Sequence, residues 1–212
     1  MATQQYEQGQ SKEESKRLFK NPILEWFTHV HPSTPFIIYI PVILVSIYAS
    51  FAWYNVPILR FILLYGSAML FWTFCEYIIH RFVFHPPFAD SYLKWFYFYS
   101  HGIHHDYPND TTRLVMPPLV SAPLAAGFYF LFRSVFGDTH MPFFAGFVNA
   151  YLIYDYLHYA THFHTFKVSW FKKLRKHHTV HHFTSPGLNY GVSNSFWDYI
   201  FLTKHKEKQK EV

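Results

Sequence analysis

Four apolar segments of membrane-crossing length decide what this chain can fold into. The hydrocarbon core of a bilayer is roughly 30 Å thick and takes about 20 helical residues. The segment "PFIIYIPVILVSIYASFAWY" (35–54) carries no charge, and "PILRFILLYGSAMLFWTFCEYIIH" (57–80) carries only Arg60 near its start and Glu76 and His80 near its end. "MPPLVSAPLAAGFYFLFRSVF" (116–136) and "MPFFAGFVNAYLIYDYLHYATHFH" (141–164) follow. The connections Asn55-Val56 and Gly137-Asp138-Thr139-His140 are too short for anything but tight reversals, so the segments pair into two helical hairpins. With 50% hydrophobic, 23% aromatic and 15% charged residues in a chain of 212, too little polar sequence remains to cover these helices in water. The opening "MATQQYEQGQSKEESKRLFKNP" is polar and does not read as a cleavable signal peptide. The expected fold class is therefore an all-α integral membrane protein with four transmembrane helices in two hairpins.

Basic residues set the expected orientation. Lys12, Lys16, Arg17 and Lys20 precede the first hairpin, Arg81, Lys94 and Arg113 lie in the link between hairpins, and nine more follow Phe166. Only Arg60 and Arg133 lie near the tight reversals, so both termini and the link are expected on the cytoplasmic side. The formal net charge of +5 is concentrated there, where anionic lipid head groups attract each Lys or Arg by about 1 kcal/mol. Membrane lipids account for that charge, and no nucleic-acid partner is expected. The single cysteine, Cys75, falls inside the second span, which excludes an internal disulfide and argues against a thiolate metal site. The chain is expected to divide into a cytoplasmic tail (1–20), a membrane domain (21–203) and a basic C-terminal tail (204–212), with mobile ends.

The histidines carry the chemistry. There are 16, and ten of them fall into four clusters on the expected cytoplasmic side. His80 and His85 form H-x4-H where the second helix leaves the membrane; Pro86-Pro87 is expected to break the helix and let His85 bend back. His101, His104 and His105 form H-x2-H-H, His158 and His162 form H-x3-H, and His178, His181 and His182 repeat H-x2-H-H. Spacings of three and four place side chains on one helical face, so each cluster is expected to aim its imidazoles at one point. A lone H-x3-H is weak, since a core or capping histidine is commoner than a ligand. Four clusters at one membrane edge point to metal, because neutral imidazole is a good ligand for zinc, iron, copper or nickel. A mononuclear site takes four to six ligands, so ten histidines imply two metal ions.

The words around the clusters, "EYIIHRFVFH", "HGIHHDYPNDTTRLVMPP", "YLIYDYLHYATHF" and "HHTVHHFTSPGLNYGVSNSFWDYIF", resemble those of the fatty acid hydroxylase superfamily of diiron membrane enzymes, and within it the fatty acid 2-hydroxylases. The likeness runs over roughly residues 20–203. It implies a cytoplasmic, histidine-rich helical cap holding a dimetal site, with His80, His85, His101, His104, His105, His158, His162, His178, His181 and His182 as ligands. It also implies that Tyr154 and Asp155, in "YDYLHY", matter for activity. Spacing alone does not choose iron over zinc; the resemblance implies iron in the working enzyme, with zinc able to occupy the site in isolated protein, and O2 as co-substrate. Eukaryotic members often carry an N-terminal cytochrome b5 domain, for which the first 30 residues leave no room. Electrons are thus expected from a separate donor, cytochrome b5-like or a ferredoxin, attracted to the basic run Lys172, Lys173, Arg175 and Lys176.

Other polar groups fit around the clusters. Asp155 and Tyr154 stand three and four residues before His158, and Glu76 four before His80, where a carboxylate can accept the second N–H of a ligating imidazole. Asp110 and Arg113 are expected to form a structural pair. In "KHHTVHH" only His178 repeats the x2 spacing, so His177 is expected beside the ligands or in solvent, and His29, His31, His140, His164 and His205 are expected to be non-ligands. The run "WFYFYS" (95–100) is expected in an interfacial aromatic belt.

Breaking an unactivated C–H bond takes a stronger oxidant than any side chain, which is work for an O2-activating metal. The expected reaction is hydroxylation of a fatty acyl lipid at C2, in sphingolipid metabolism. The clusters would equally serve a sterol or carotenoid oxidase or a desaturase, although "RLVMPP" and "HHTVHHF" favour the fatty acid branch. A histidine-rich metal transporter would string its ligands along the spans, whereas these gather at one edge. The membrane is expected to be the endoplasmic reticulum for a eukaryotic source and the cytoplasmic membrane for a bacterial one.

Overall fold

The structure, a computed structural model, describes residues 17–86 and 97–206. Lys12, Lys16 and Lys94 of the basic count, Pro87, the aromatic residues Trp95 and Phe96, and the ends of both tails lie outside the described residues. Within them every regular element is a helix.

Asn21 caps α1 (Pro22–Thr28) by accepting the Ile23 and Leu24 N–H groups on Oδ1. α2 (Thr34–Ala52) and α3 (Ile58–Ile78) are joined by a reversal in which Asn55 takes the left-handed conformation (φ 48°) and Pro57 starts the next helix. α3 runs on into a π-helix, Ile79–Phe84, and a second π-helical turn, Phe98–Gly102, leads into the short α4 (Ile103–Asp106). α5 (Pro118–Phe136) and α6 (His140–Phe163) meet at a 3-10 turn, Gly137–Thr139. α7 (Ser169–Phe183) and α8 (Phe196–Ile200) follow.

α6 is the central helix, buried along most of its length. Its Phe143, Phe144, Phe147 and Tyr151 pack with Tyr39 and Ile43 of α2, Ala68 and Trp72 of α3 and Phe132 of α5. The rings of Phe132 and Phe143 lie 4.8 Å apart and those of Phe128 and Phe147 4.6 Å, the pairing of antiparallel neighbours. At Gly146 an added Cβ would lie 2.3 Å from the Tyr65 carbonyl oxygen, so α3 and α6 touch backbone to backbone, as small residues allow between membrane helices.

The outer faces are as apolar as the core. Ile37, Leu44, Leu59, Leu63, Leu70, Leu119, Phe130 and Val135 point away from the protein, a surface suited to lipid rather than water. Hydroxyls within this layer are satisfied locally: Ser46 donates to the Val42 carbonyl at 2.8 Å and Ser50 to that of Ser46 at 2.7 Å. Three stretches are long and apolar enough to cross a membrane, Thr34–Ala52, Ile58–Phe84 and Pro118–Phe163, the last comprising α5, the 3-10 turn and α6.

Ring contacts of His140 with Tyr54 (5.3 Å) and Tyr129 (5.1 Å) gather both tight reversals at one end. At the other end the Val30 N–H donates to the Thr112 carbonyl at 2.7 Å. There Arg113 pairs with Asp110 at 3.6 Å as expected, but its shorter contact, 2.6 Å, is to Glu25. Glu25 also accepts the Leu18 and Phe19 N–H groups, so it joins the segment before α1 to the link through Arg113.

The Gly146 contact yields a paired prediction. Gly146→Ala should destabilise the bundle by about 1–3 kcal/mol through overpacking against backbone that cannot yield. Gly66→Ala on α3, whose added Cβ meets nothing within 4 Å, should be neutral or gain up to about 1 kcal/mol of helix propensity. Thermal unfolding in detergent separates the two, and equal midpoints would mean the α3–α6 contact is looser than described.

Candidate metal centre

The histidine clusters come together at the end of the bundle remote from the tight reversals, and backbone geometry decides how. On an α-helix His80 and His85, five residues apart, would diverge. The π-helix prevents this: the His85 N–H donates to the His80 carbonyl at 3.0 Å, closing an i→i+5 ring that stacks residues five apart, and the two rings lie 5.1 Å from each other. The helix ends at Phe84, ahead of Pro86 as expected, and the π-helical register adds what the sequence did not show, the turn that sets His85 beside His80.

The ten histidines sort into two groups of five, but not by sequence motif. His80, His85, His101, His105 and His181 form one group, and His104, His158, His162, His178 and His182 the other, with the candidate ligand atoms of each group all within 4.8 Å of one another. Each H-x2-H-H motif is split. His101 and His105 enter the first group while His104 enters the second, and His178 and His182 enter the second while His181 enters the first. The expectation that each motif aims at one point holds for His80/His85 and His158/His162 and fails for the two triplets.

In the first group Nε2 atoms approach at 3.1 Å (His80–His101), 3.0 Å (His101–His105) and 3.1 Å (His85–His181). In the second they approach at 3.1 Å (His104–His158), 3.2 Å (His104–His182) and 2.9 Å (His162–His178). Nitrogens about 2.0–2.1 Å from a shared ion stand roughly 3 Å apart, so the donor set fits one metal ion per group. The groups abut, with the His105 and His182 rings stacked at 4.1 Å.

Burial keeps these imidazoles neutral, which leaves Nε2 lone pairs free for a metal. Burial first and the neighbouring imidazoles second depress His85 to about 3 and His105 to about 2, and drive His101, His104, His178 and His182 well below their usual value. His181 is depressed to about 4, again chiefly by burial, with its bond to the Leu188 carbonyl working against the shift.

Two expectations for the surrounding carboxylates change. Glu76 does not reach His80; it accepts the Val192 N–H at 2.7 Å, the Ser193 N–H at 2.8 Å and the Ser193 hydroxyl. It therefore anchors the segment between α7 and α8. His80 instead donates from Nδ1 to the Tyr190 carbonyl. Asp155 is buried one turn before His158, yet its Oδ2 has no hydrogen-bond partner among the described residues. Tyr154 is also buried, its ring 5.8 Å from Trp72 and 5.9 Å from His158.

The residue that sequence reasoning missed is Asp198. It is fully buried and accepts from His177 Nε2 at 3.0 Å, and from the Tyr190 N–H, the Gly191 N–H and the Thr203 hydroxyl at 2.8 Å each. Burial alone would raise this carboxyl, but the donors, His177 foremost, together hold it below its usual range. A signal existed, since Asp198 is the one acidic residue between Phe166 and Lys206. His177 is accordingly buried beside the ligands rather than in solvent.

Within the bundle an apolar groove opens between the helices, lined by Tyr39, Trp72, Ile79, Leu124, Phe128 and Tyr151 among others. Its lining residue Ile79 directly precedes His80 in the chain.

Comparison with known proteins follows the same lines. The sequence profile of the family described as Fatty acid hydroxylase matches residues 65–203. The fatty acid 2-hydroxylase of Mus musculus is 37% identical over 212 residues, covering 88% of this chain and 56% of that protein. The dihydroceramide fatty acyl 2-hydroxylase FAH2 of Arabidopsis thaliana is 33% identical over 193 residues, covering 90% of this chain and 80% of that protein. A solved structure described as full-length scs7p with only the hydroxylase domain visible superposes with a TM-score of 0.84 at 32% identity, covering 92% of this chain and 74% of that one. The chain spans a little over half the length of the mammalian relatives it matches.

Removing the Glu76 anchor tests this arrangement. Glu76→Ala strands the buried Val192 N–H and the half-buried Ser193 N–H, at a cost of about 1–3 kcal/mol for a group left unsatisfied. Hydrogen exchange at those two amides should accelerate while exchange in α6 stays slow. Unchanged exchange at 192–193 would show that the segment is held by other contacts.

Proposed function

The chain belongs to the fatty acid hydroxylase family, and on that premise we propose that it hydroxylates a fatty acyl chain at C2, using two metal ions, one held by each group of five histidines. The observation that carries this reading is the pair of converging imidazole groups at one end of a membrane bundle whose helices enclose an apolar groove. The names of the relatives favour the acyl chain of a sphingolipid, dihydroceramide or ceramide, over a sterol or carotenoid. All-imidazole donor sets suit zinc, copper and iron alike; iron is the proposed working metal because an O2-activating, redox-active metal pair supplies the oxidising power that C–H hydroxylation demands.

The remaining roles fall to the chain itself. α2, α3, α5 and α6 cross the bilayer as two hairpins, with both termini and the histidines on the cytoplasmic side, as the distribution of Lys and Arg favours. The groove between them takes the acyl tail, with Trp72, Phe128 and Tyr151 excluding water from it. A polar acyl head prefers the membrane boundary, where the histidines lie, and this brings C2, one bond from the head, beside them without bending the tail. Mid-chain oxidation would require the head to travel past the site. Tyr154 bridges the groove wall at Trp72 to His158, and Asp155 lies buried one turn before His158; both are assigned roles in activity. Electrons come from an acidic donor, cytochrome b5-like or a ferredoxin, guided by Lys172, Lys173, Arg175 and Lys176.

Two experiments test the reading. Elemental analysis of active protein should give two metal ions per chain, and lipids from cells expressing the chain should contain 2-hydroxy acyl groups that disappear with His181→Ala. One metal per active chain, a new double bond, or a hydroxyl elsewhere on the chain would each overturn it. Separately, Asp155→Asn should keep its metal while turnover falls about 10–100-fold, as expected for a residue acting on metal ligands from outside; full activity would reduce Asp155 to a structural role.

A further inference from the structure

The two groups of five histidines are supported differently from behind. In the first, His80 Nδ1 donates to the Tyr190 carbonyl and His181 Nδ1 to the Leu188 carbonyl at 2.8 Å. Both carbonyls belong to one short segment, 188–191, which Asp198 grips through the Tyr190 and Gly191 N–H groups. The same segment is fixed by Asn189, whose N–H donates to the Thr203 carbonyl at 2.8 Å and whose side chain donates to the His177 carbonyl at 3.1 Å. Thr203 in turn donates to Asp198, so the grip closes on itself. In the second group, Nδ1 of His104, His178 and His182 is buried and meets no hydrogen-bond partner among the described residues.

The rotation that aims an imidazole is soft, and a partner on the far nitrogen fixes both its orientation and its tautomer. His80 and His181 are thus set with Nδ1 protonated and Nε2 facing the other ligands, while three rings of the second group have no such partner behind them among the described residues. We propose that Asp198 is a positioning residue for one metal only: by fixing the 188–191 segment it pre-orients His80 and His181, so the His80/His85/His101/His105/His181 site holds its ion more tightly than the other. The proposal rests on the dimetal reading above and adds an order to it. The first site fills first and empties last, and the second is the exchangeable one.

The test uses the full chain in detergent, stripped of metal, loaded with two equivalents of cobalt(II) and challenged with a chelator. Visible absorption and elemental analysis follow release. His85→Ala and His162→Ala, each removing a ligand from one group, assign the phases. Wild type should release its ions in two phases; His162→Ala should lack the fast phase and His85→Ala the slow one. Asp198→Ala should accelerate the slow phase about 10–100-fold and leave the fast phase and its absorption bands unchanged. Asp198→Asn, which keeps the size of the side chain and one acceptor, should fall between, and decides by the same criterion if the alanine variant does not fold. Release of both ions in a single phase, or an Asp198 variant that shifts both phases equally or neither, would overturn the proposal. Binding of fewer than two ions would instead overturn the dimetal reading beneath it.

Discussion

Everything at the functional end of this molecule depends on holding ten neutral imidazoles with their Nε2 atoms about 3 Å apart. Without a cation that is an unfavourable meeting of lone pairs, relieved only where one ring donates to the next. With a cation it is a coordination shell. The elements that bring the rings together have little core of their own: two π-helical turns, a helix of four residues, and α7, whose buried side chains include His177, His178, His181 and His182. An ion that bound only the assembled arrangement would stabilise this end by its binding free energy, so any metal binding here would be coupled to ordering. The hairpins below, with their Phe and Tyr core around α6, provide the rigid base on which that ordering can occur.

The hairpins were legible in the sequence because apolar length is a one-dimensional property. The reversals at Asn55 and Gly137 fall where short polar links predicted them. The histidine clusters were equally legible, since spacing survives into structure wherever the helix is regular, as at His158 and His162. What the sequence hid was irregular backbone and backbone acceptors. No residue pattern announces that α3 widens into a π-helix at Ile79, so the prolines predict where the helix ends but not the register that returns His85. Glu76, at helical spacing from His80, was a reasonable partner for it, yet its oxygens serve the Val192 and Ser193 N–H groups, and His80 is served by a carbonyl that every sequence carries. Asp198 was overlooked because its work is done across the fold, on a segment whose position only the tertiary structure reveals.

The splitting of the H-x2-H-H triplets has a simple geometric cause. At 3.6 residues per turn, consecutive residues diverge by about 100°, so the adjacent histidines His104/His105 and His181/His182 cannot both face one ion. One of each pair must serve a second site. The doubled histidine marks a helix that lies between the two groups of candidate ligands, as α4 and α7 do.

Topology gives that arrangement a further meaning. The first hairpin contributes His80 and His85 to the first group only, and the second contributes His158 and His162 to the second group only, while α4 and α7 contribute to both. Neither hairpin can form a complete site alone, and neither site can form unless α4 and α7 straddle both hairpins. The relative position of the two hairpins is thus fixed twice, by the α3–α6 contact at Gly146 within the bundle and by the straddling helices at its end. An apolar groove lined by Tyr39, Trp72 and Ile79 of the first hairpin and by Leu124, Phe128 and Tyr151 of the second is held in shape by the same two constraints, because its opposite walls belong to hairpins that cannot shift independently.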